Sequence, residues 1–223
     1  MKLLIFDFDG VIVDTEPLHF ESFRRVLEIQ GFTLKENDYY EKYLALDDRS
    51  FFLISFKDGG KILNEEELSN LLNIKSKMFI DLISRVEVNT MPGVKELIDS
   101  VFGEYPLSIG SGALRNEIDL ILNRCGLIDR FDVVVSSDDV KKCKPDPEVY
   151  LHVLSQFNKT HGIKAEECVV IEDSVDGIRA GKNAGMKVIA VSNSNPADKL
   201  TYADLIIDSL SNIGVNELKE LFN

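Results

Sequence analysis

The chain has 223 residues, 38 of them acidic and 25 basic, for a formal charge of −13, and 44% of its side chains are apolar. This composition excludes a disordered, collagen-like or low-complexity chain and leaves one large or two small globular domains, able to bury a core without disulfide or metal staples. The surplus of carboxylates argues against nucleic acid or an anionic membrane surface as a partner, because a phosphate backbone is neutralised by Lys and Arg.

No apolar run approaches the roughly 18 residues of a membrane span, and Leu3-Leu4-Ile5-Phe6 is cut short by Asp7, which a secretory leader would not tolerate. A cytoplasmic location is therefore expected. On oligomeric state the sequence is nearly silent, and a monomer is the default. Cys125, Cys143 and Cys168 are odd in number, widely spaced and without a CxxC pair, so neither a disulfide framework nor a zinc site is indicated.

Taken in chain order, Leu3 to Phe8 is a short apolar run breaking into Asp9-Gly10, the pattern of a buried strand that ends in a loop. Residues 16–86 contain no convincing strand and read as four helical pieces near 17–29, 36–45, 48–57 and 64–85. Met91-Pro92-Gly93 marks the return. Thereafter short apolar runs at 107–109, 133–135, 168–171, 188–191 and 205–207 alternate with helical periods such as Val94-Leu97-Ile98-Val101, Ile118-Ile121-Leu122 and Val149-Val153-Leu154. The alternation predicts an α/β fold, a Rossmann-like parallel sheet with helices on both faces. About 70 residues is too long for an ordinary βα connection, so an all-helical cap domain at 16–86 is expected to interrupt a core domain made of 1–15 and 87–223.

Ligands of open parallel sheets gather at the carboxyl ends of the strands. Asp7 and Asp9 stand at the first such end, two residues apart, and in extended chain both carboxylates face one small volume. One Asp before Gly is ordinarily a turn cap. Two carboxylates straddling Phe8 at a buried strand end repel each other and lose hydration, a conflict that a bound cation would resolve. Glu172-Asp173-Ser174 follows the fourth run; Asp173 and Ser174 also suit a helix cap, yet carboxylates converging on one sheet edge are hard oxygen ligands of the kind that hold Mg²⁺. Asp176 reads as helix surface.

Ser111-Gly112 lies between a strand and a helix, where a hydroxyl and backbone N–H groups form either an anion site or a plain cap. In Lys144-Pro145-Asp146-Pro147, Asp146 caps and Pro147 begins a helix, which leaves Lys144 as surface charge or charge neutraliser. Gly110-Ser111-Gly112 lacks the third glycine of a dinucleotide fingerprint, and Gly177 to Asn183 has the wrong spacing and ending for a phosphate-binding P-loop, so no nucleotide is implied. His19, His152 and His161 form no zinc pattern, and the latter two read as surface or packing residues.

Together, Asp7-Phe8-Asp9-Gly10-Val11, Ser111, Lys144-Pro145-Asp146-Pro147, and Glu172-Asp173-Ser174 with Gly177 and Ala184-Gly185-Met186 resemble, in order and spacing, the four motifs of the haloacid dehalogenase superfamily of phosphotransferases. Asp14 to His19 and the helical insertion resemble the subgroup that holds β-phosphoglucomutase and phosphoglycolate phosphatase. The resemblance implies a phosphatase of a small phosphorylated metabolite, a sugar phosphate or phosphoglycolate, with a phosphomutase as the alternative and a non-catalytic binding protein of the same fold as a third reading. It implies Asp7 as nucleophile, Asp9 as general acid and base, and Ser111, Gly112 and Lys144 around the phosphoryl group. Mg²⁺ would sit among Asp7, the Asp9 carbonyl, Glu172 and Asp173. Substrate contacts in the cap would come from His19, Arg49 and Lys75. The loop Ala45-Leu46-Asp47-Asp48-Arg49 departs from the Gly-x-Ser-Arg type loop of phosphomutase relatives, which puts mutase activity in doubt.

Overall fold

The computed structural model describes residues 1–44, 46–158 and 162–222; Ala45 and His161, both singled out above, lie outside them. In chain order the elements are β1 (Leu3–Phe6), α1 (Glu16–Ile29), α2 (Glu36–Asp38, running on as a π-helical turn over Tyr39–Tyr43), α3 (Asp48–Asp58), α4 (Glu65–Arg85) and α5 (Val94–Val101). They continue as β2 (Leu107–Gly110), α6 (Arg115–Cys125), β3 (Val133–Val135), α7 (Glu148–Asn158), β4 (Cys168–Glu172), α8 (Val175–Asn183), β5 (Lys187–Val191), β6 (Leu205–Ile207) and α9 (Val215–Glu220). The chain divides into two compact units, Met1–Asp14 with Val88–Asn223, and Thr15–Glu87.

The first unit is built on a six-stranded sheet of order β3-β2-β1-β4-β5-β6 in which every pairing is parallel. Alternation along the strands explains why the runs are continuously apolar. Leu3, Ile5, Cys168, Val170, Val188 and Ala190 form one buried cluster with Val149, Tyr150, Val153 and Leu154 of α7 and Ile178 and Ala180 of α8. Leu4, Phe6, Val169, Ile171, Ile189 and Val191 point the other way and are also fully buried, so both faces are covered, as a parallel sheet requires. The strand order reverses between β1 and β4, and at that switch point the crevice beyond the carboxyl ends opens.

Two expectations shift. The first strand ends at Phe6 and not at Phe8, because the chain turns there: Gly10 takes φ +76°, its N–H donates to the Val13 carbonyl at 2.7 Å, and Asp9 bridges to Val13. The second helical piece of the insertion is a three-residue α-helix followed by a π-helical turn that ends at Tyr43.

The second unit is helical throughout its described residues and has an aromatic core, with Phe23, Tyr39, Tyr43, Phe51, Phe52 and Phe56 buried together. Its helix starts are legible locally. Asn64 and Glu67 exchange side-chain bonds with each other's backbone N–H at 2.9 and 3.0 Å, a capping box for α4, and the Asp47 carboxylate accepts from the Ser50 N–H at 3.0 Å to start α3. The buried face of α4 is Leu68, Leu71, Lys75, Phe79 and Ile83, so a lysine stands in an otherwise apolar stripe. Among the described residues no helix is long and apolar enough to cross a membrane.

Gly93 carries φ +85°, and a Cβ there would lie 2.1 Å from the Ser211 backbone nitrogen; Gly126, at φ +71°, has open space around its missing Cβ. Gly126→Ala is therefore expected to cost about 1 kcal/mol, the left-handed strain alone. Gly93→Ala adds a backbone clash and is expected to cost at least ~2 kcal/mol more. Urea denaturation midpoints of the two variants measure the difference.

Candidate active site

Three strand ends bring the motif residues together. Strand register pairs Phe6 with Ile109 of β2 and with Ile171 of β4, so Asp7, Ser111 and Glu172-Asp173 all emerge at one sheet edge beside the switch point. The Asp7 N–H extends the ladder by one bond, donating to the Ile171 carbonyl at 2.9 Å. Carboxylate oxygens of Asp7, Glu172 and Asp173 lie within 4.8 Å of one another, and all three residues are buried. The Asp9 carboxylate is outside that group, on a half-buried residue at the start of the turn, yet close enough to push the Asp7 pKa up.

Lys144 answers this concentration of negative charge. Its Nζ donates to Asp7 Oδ1 at 2.7 Å and to Glu172 Oε1 at 2.6 Å. It reaches them from the loop before α7, whose Lys141 and Lys142 backbone N–H groups are gripped by the Glu148 carboxylate at 3.1 and 3.0 Å. Asp146 caps the helix, accepting from the Glu148 N–H at 3.1 Å, as its position before Pro147 predicts. Lys144 is thus a largely buried partner of two carboxylates and not a solvated surface charge.

Glu172 is the most heavily bonded acid of the cluster. Oε1 accepts from Lys144 and, at 2.8 Å, from the Tyr150 hydroxyl, while Oε2 accepts from the Asp173 N–H, the Ser174 N–H and the Ser174 hydroxyl at 2.9, 3.0 and 3.0 Å. A carboxylate offers about four lone-pair sites, so its accepting capacity is filled. Ser174 also caps α8 by accepting from the Gly177 N–H at 3.0 Å. Gly177 is required there: a Cβ would sit 1.7 Å from Glu172 Oε1. Asp176 pairs with Arg179 at 3.2 Å on the helix surface, as expected.

The ionisation of the group follows from these contacts. Burial works against charge on Glu172, but the Lys144 ammonium and the surrounding donors outweigh it and hold this carboxyl below its ordinary value. The Asp7 carboxylate is paired with Lys144, but burial and the neighbouring Glu172 push it up to about 7. Burial, Glu172 and Asp7 likewise hold Asp173 well above the usual carboxylate range. Burial alone would lower Lys144, but Asp7 and Glu172 keep it above the ordinary lysine value. One lysine does not balance three carboxylates, and hard oxygen donors this close suit a small divalent cation such as Mg²⁺.

Ser111 is buried; its hydroxyl accepts from the Ala113 N–H at 3.0 Å and its own N–H is committed to the Val135 carbonyl at 3.0 Å. Gly112 beside it is exposed, with nothing within 4 Å of its missing Cβ.

The predicted cap residues separate in the helical unit. Lys75 is fully buried, with Nζ 2.8 Å from His19 Nδ1 and 2.7 Å from Asp48 Oδ2, over the rings of Phe23 and Phe79. Burial and the Lys75 charge hold His19 neutral, its pKa well below the ordinary histidine value. Arg49 instead points to the surface, bonded to Glu65 at 2.7 Å with half its side chain exposed.

Tyr150 and Glu148 carry no sign of their roles in the sequence. Tyr150 falls in the apolar stripe of α7; only the packing of α7 against β2 and β3 reveals that its hydroxyl ends on Glu172.

Residues 4–191 match the family model of the haloacid dehalogenase-like hydrolases. The chain is 33% identical to the phosphorylated carbohydrates phosphatase of Thermotoga maritima, over 99% of this chain and 100% of that protein. It is 31% identical to a fructose-1-phosphate phosphatase of Escherichia coli, over 84% of this chain and 95% of that one. Among solved structures it is similar to a β-phosphoglucomutase of Clostridium difficile, with a TM-score of 0.86 and 25% identity over 100% of this chain and 97% of that one.

The Tyr150 hydroxyl donates to a buried, charged acceptor. Its removal in Tyr150→Phe is expected to destabilise the protein by ~1.5–3 kcal/mol, the range for a hydrogen bond to a charged group, read from the urea midpoint at neutral pH. A change below about 0.5 kcal/mol would show that the bond contributes nothing net.

Proposed function

The chain belongs to the haloacid dehalogenase-like hydrolases and is a phosphoric monoester hydrolase, and on that premise we propose that it is a Mg²⁺-dependent phosphatase of a small phosphorylated carbohydrate, working through a phosphorylated Asp7. The observation that carries this reading is the Asp7 carboxylate, buried at the switch point with one oxygen on Lys144 and two further carboxylates within 4.8 Å.

In the proposed reaction an Asp7 oxygen attacks phosphorus and the bond to the leaving oxygen breaks, with Asp9 giving that oxygen its proton. Water then attacks the phosphorus of the acyl phosphate and gives one proton to the Asp9 carboxylate, the phosphorus–oxygen bond to Asp7 breaks, and Asp7 is released with inorganic phosphate while Asp9 is again protonated. The position of Asp9 outside the tight carboxylate group supports this division of labour. Lys144 holds Asp7 in line and balances charge on the transferring group, and the Ser111 hydroxyl, with Gly112 beside it, binds a phosphoryl oxygen. Mg²⁺, held by Asp7, the Asp9 carbonyl and Asp173, would supply the charge that lets a carboxylate approach a phosphate. Glu172 was expected among these ligands; since its oxygens already accept five hydrogen bonds, we assign it the role of fixing Lys144 and adding its charge to the cation site.

Recognition of the leaving group is assigned to the half-buried His19, with the fully buried Lys75 positioning its ring. Lys75 is paired with Asp48 and His19 is held neutral, so the cluster has no net charge and suits the hydroxyls of a sugar better than a second phosphate. Arg49, committed to Glu65, is left out of that role. A neutral cluster favours hydrolysis over mutase chemistry, in which a phosphate must occupy each end of the substrate in turn.

Asp7→Asn is expected to lower turnover of an aryl phosphate with Mg²⁺ by at least ~10³-fold, measured as phosphate release; wild-type rates would exclude Asp7 as nucleophile. With β-glucose 1-phosphate or another sugar phosphate, phosphorus NMR is expected to show inorganic phosphate outrunning any isomerised ester, and the reverse order would establish the mutase. Lys75→Met is expected to raise KM for the sugar phosphate about tenfold, as for one lost charge-assisted hydrogen bond, while the aryl phosphate KM stays within twofold.

A further inference from the structure

We infer that the loop after β5, Asn193-Ser194-Asn195, is a strap that pre-sets the cation site by tying its two acidic segments together. The inference rests on the reading that Asp7 and Asp173 hold a divalent cation.

Three side chains of this loop reach the site, each to a different group. The Asn193 Nδ2 donates to the Gly10 carbonyl at 2.8 Å, across 183 positions of sequence, and the Asn195 Nδ2 donates to the Asp173 carbonyl at 3.2 Å. The Ser194 hydroxyl stands beside the Asp173 carboxylate, both lying against the place a Gly10 Cβ would take, and it favours the charged form of that carboxyl. The sheet order explains the reach: β5 adjoins β4, so a loop leaving its carboxyl end passes over the Asp173 segment before meeting the turn after β1. The other end of the loop is fixed as well, since the Ser192 N–H donates to the Ile207 carbonyl at 2.9 Å and its hydroxyl to Asp208 at 3.2 Å.

Gly10 is what lets the parts meet. A Cβ there would lie 2.0 Å from Asp173 Oδ2 and 2.8 Å from Ser194 Oγ, so the turn after β1 presses directly on both. Lys144 serves Asp7 and Glu172, and none of its bonds goes to Asp173. Asp173 is a buried carboxylate facing two others, with the strap holding its backbone carbonyl through Asn195 and standing beside its side chain at Ser194. Such contacts fix the ligand's rotamer before the cation arrives; without them the site pays that ordering on binding. Ser194 and Asn193 are exposed residues of a surface loop, so substituting them leaves the core packing untouched.

The test uses Mn²⁺ as a spectroscopic probe on the full-length, substrate-free protein, with free Mn²⁺ counted by electron paramagnetic resonance. Ser194→Ala is expected to weaken Mn²⁺ binding about tenfold, the lower end for loss of a bond to a metal ligand, and Asn195→Ala to weaken it severalfold. Ser194→Thr, which keeps the hydroxyl, is expected to restore affinity to within about twofold of wild type. The Tm measured in EDTA should be the same for all four proteins, separating a positioning role from a merely structural one. Wild-type affinity in Ser194→Ala and Asn195→Ala would overturn the strap while leaving the cation site standing, as would a Tm in EDTA that falls in step with affinity. Absence of Mn²⁺ binding by the wild type would overturn the cation reading and the strap with it.

Discussion

The double contact of Lys144, 2.7 Å from Asp7 and 2.6 Å from Glu172, is the interaction on which the rest of the site depends. A cluster of buried carboxylates is strongly unfavourable alone, because each loses hydration and repels the others. A single ammonium with excellent geometry makes it tolerable. Breaking a buried pair by removing one partner leaves an uncompensated charge, which is why such contacts are held from several directions. Here Glu148 fixes the loop that carries Lys144, Tyr150 and the start of α8 fix Glu172, and the ladder bond from the Asp7 N–H fixes Asp7.

Close backbone approach makes the same cluster possible sterically. Gly10 and Gly177 stand where any side chain would collide with Asp173 or Glu172. Gly181 does the same one turn later, where a Cβ would meet Val188 at 2.7 Å, so α8 can lie close on the sheet. In sequence Gly177 and Gly181 have the wrong spacing for a phosphate loop; in the structure they and Gly10 are the clearances that let acids, helix and strand share a small volume. The opposite device operates in the helical unit, where bulk dominates: a lysine is lodged among phenylalanines and kept there by one carboxylate and one imidazole.

The carboxylate surplus of the chain takes on a sharper meaning in this light. At a net charge of −13 the molecule repels long polyanions, and that expectation concerns its surface. At the switch point the same residue type concentrates negative charge beside one lysine, and in the proposed function a divalent ion would invert that charge enough to receive a small phosphate.

Much was legible in the chain itself. Apolar runs bounded by turn residues marked every strand of the sheet, and a 3.6-residue period marked the main helices, because burial on both faces of a parallel sheet leaves a nearly continuous apolar signature. The acids and the lysine were legible through their place just after strands, together with a motif order that no single element carries. Asp146 and Ser174 were legible as caps, since capping is a local bond between neighbours. Only the tertiary structure decided which partners those residues take. Tyr150, Asn193 and Asn195 bond across 22 to 183 positions of chain, and Lys75 was placed in a buried pair and Arg49 on the surface by packing that no local pattern encodes. Periodicity and spacing report on short-range geometry, whereas hydrogen bonds between distant segments exist only once the sheet order has brought the segments together.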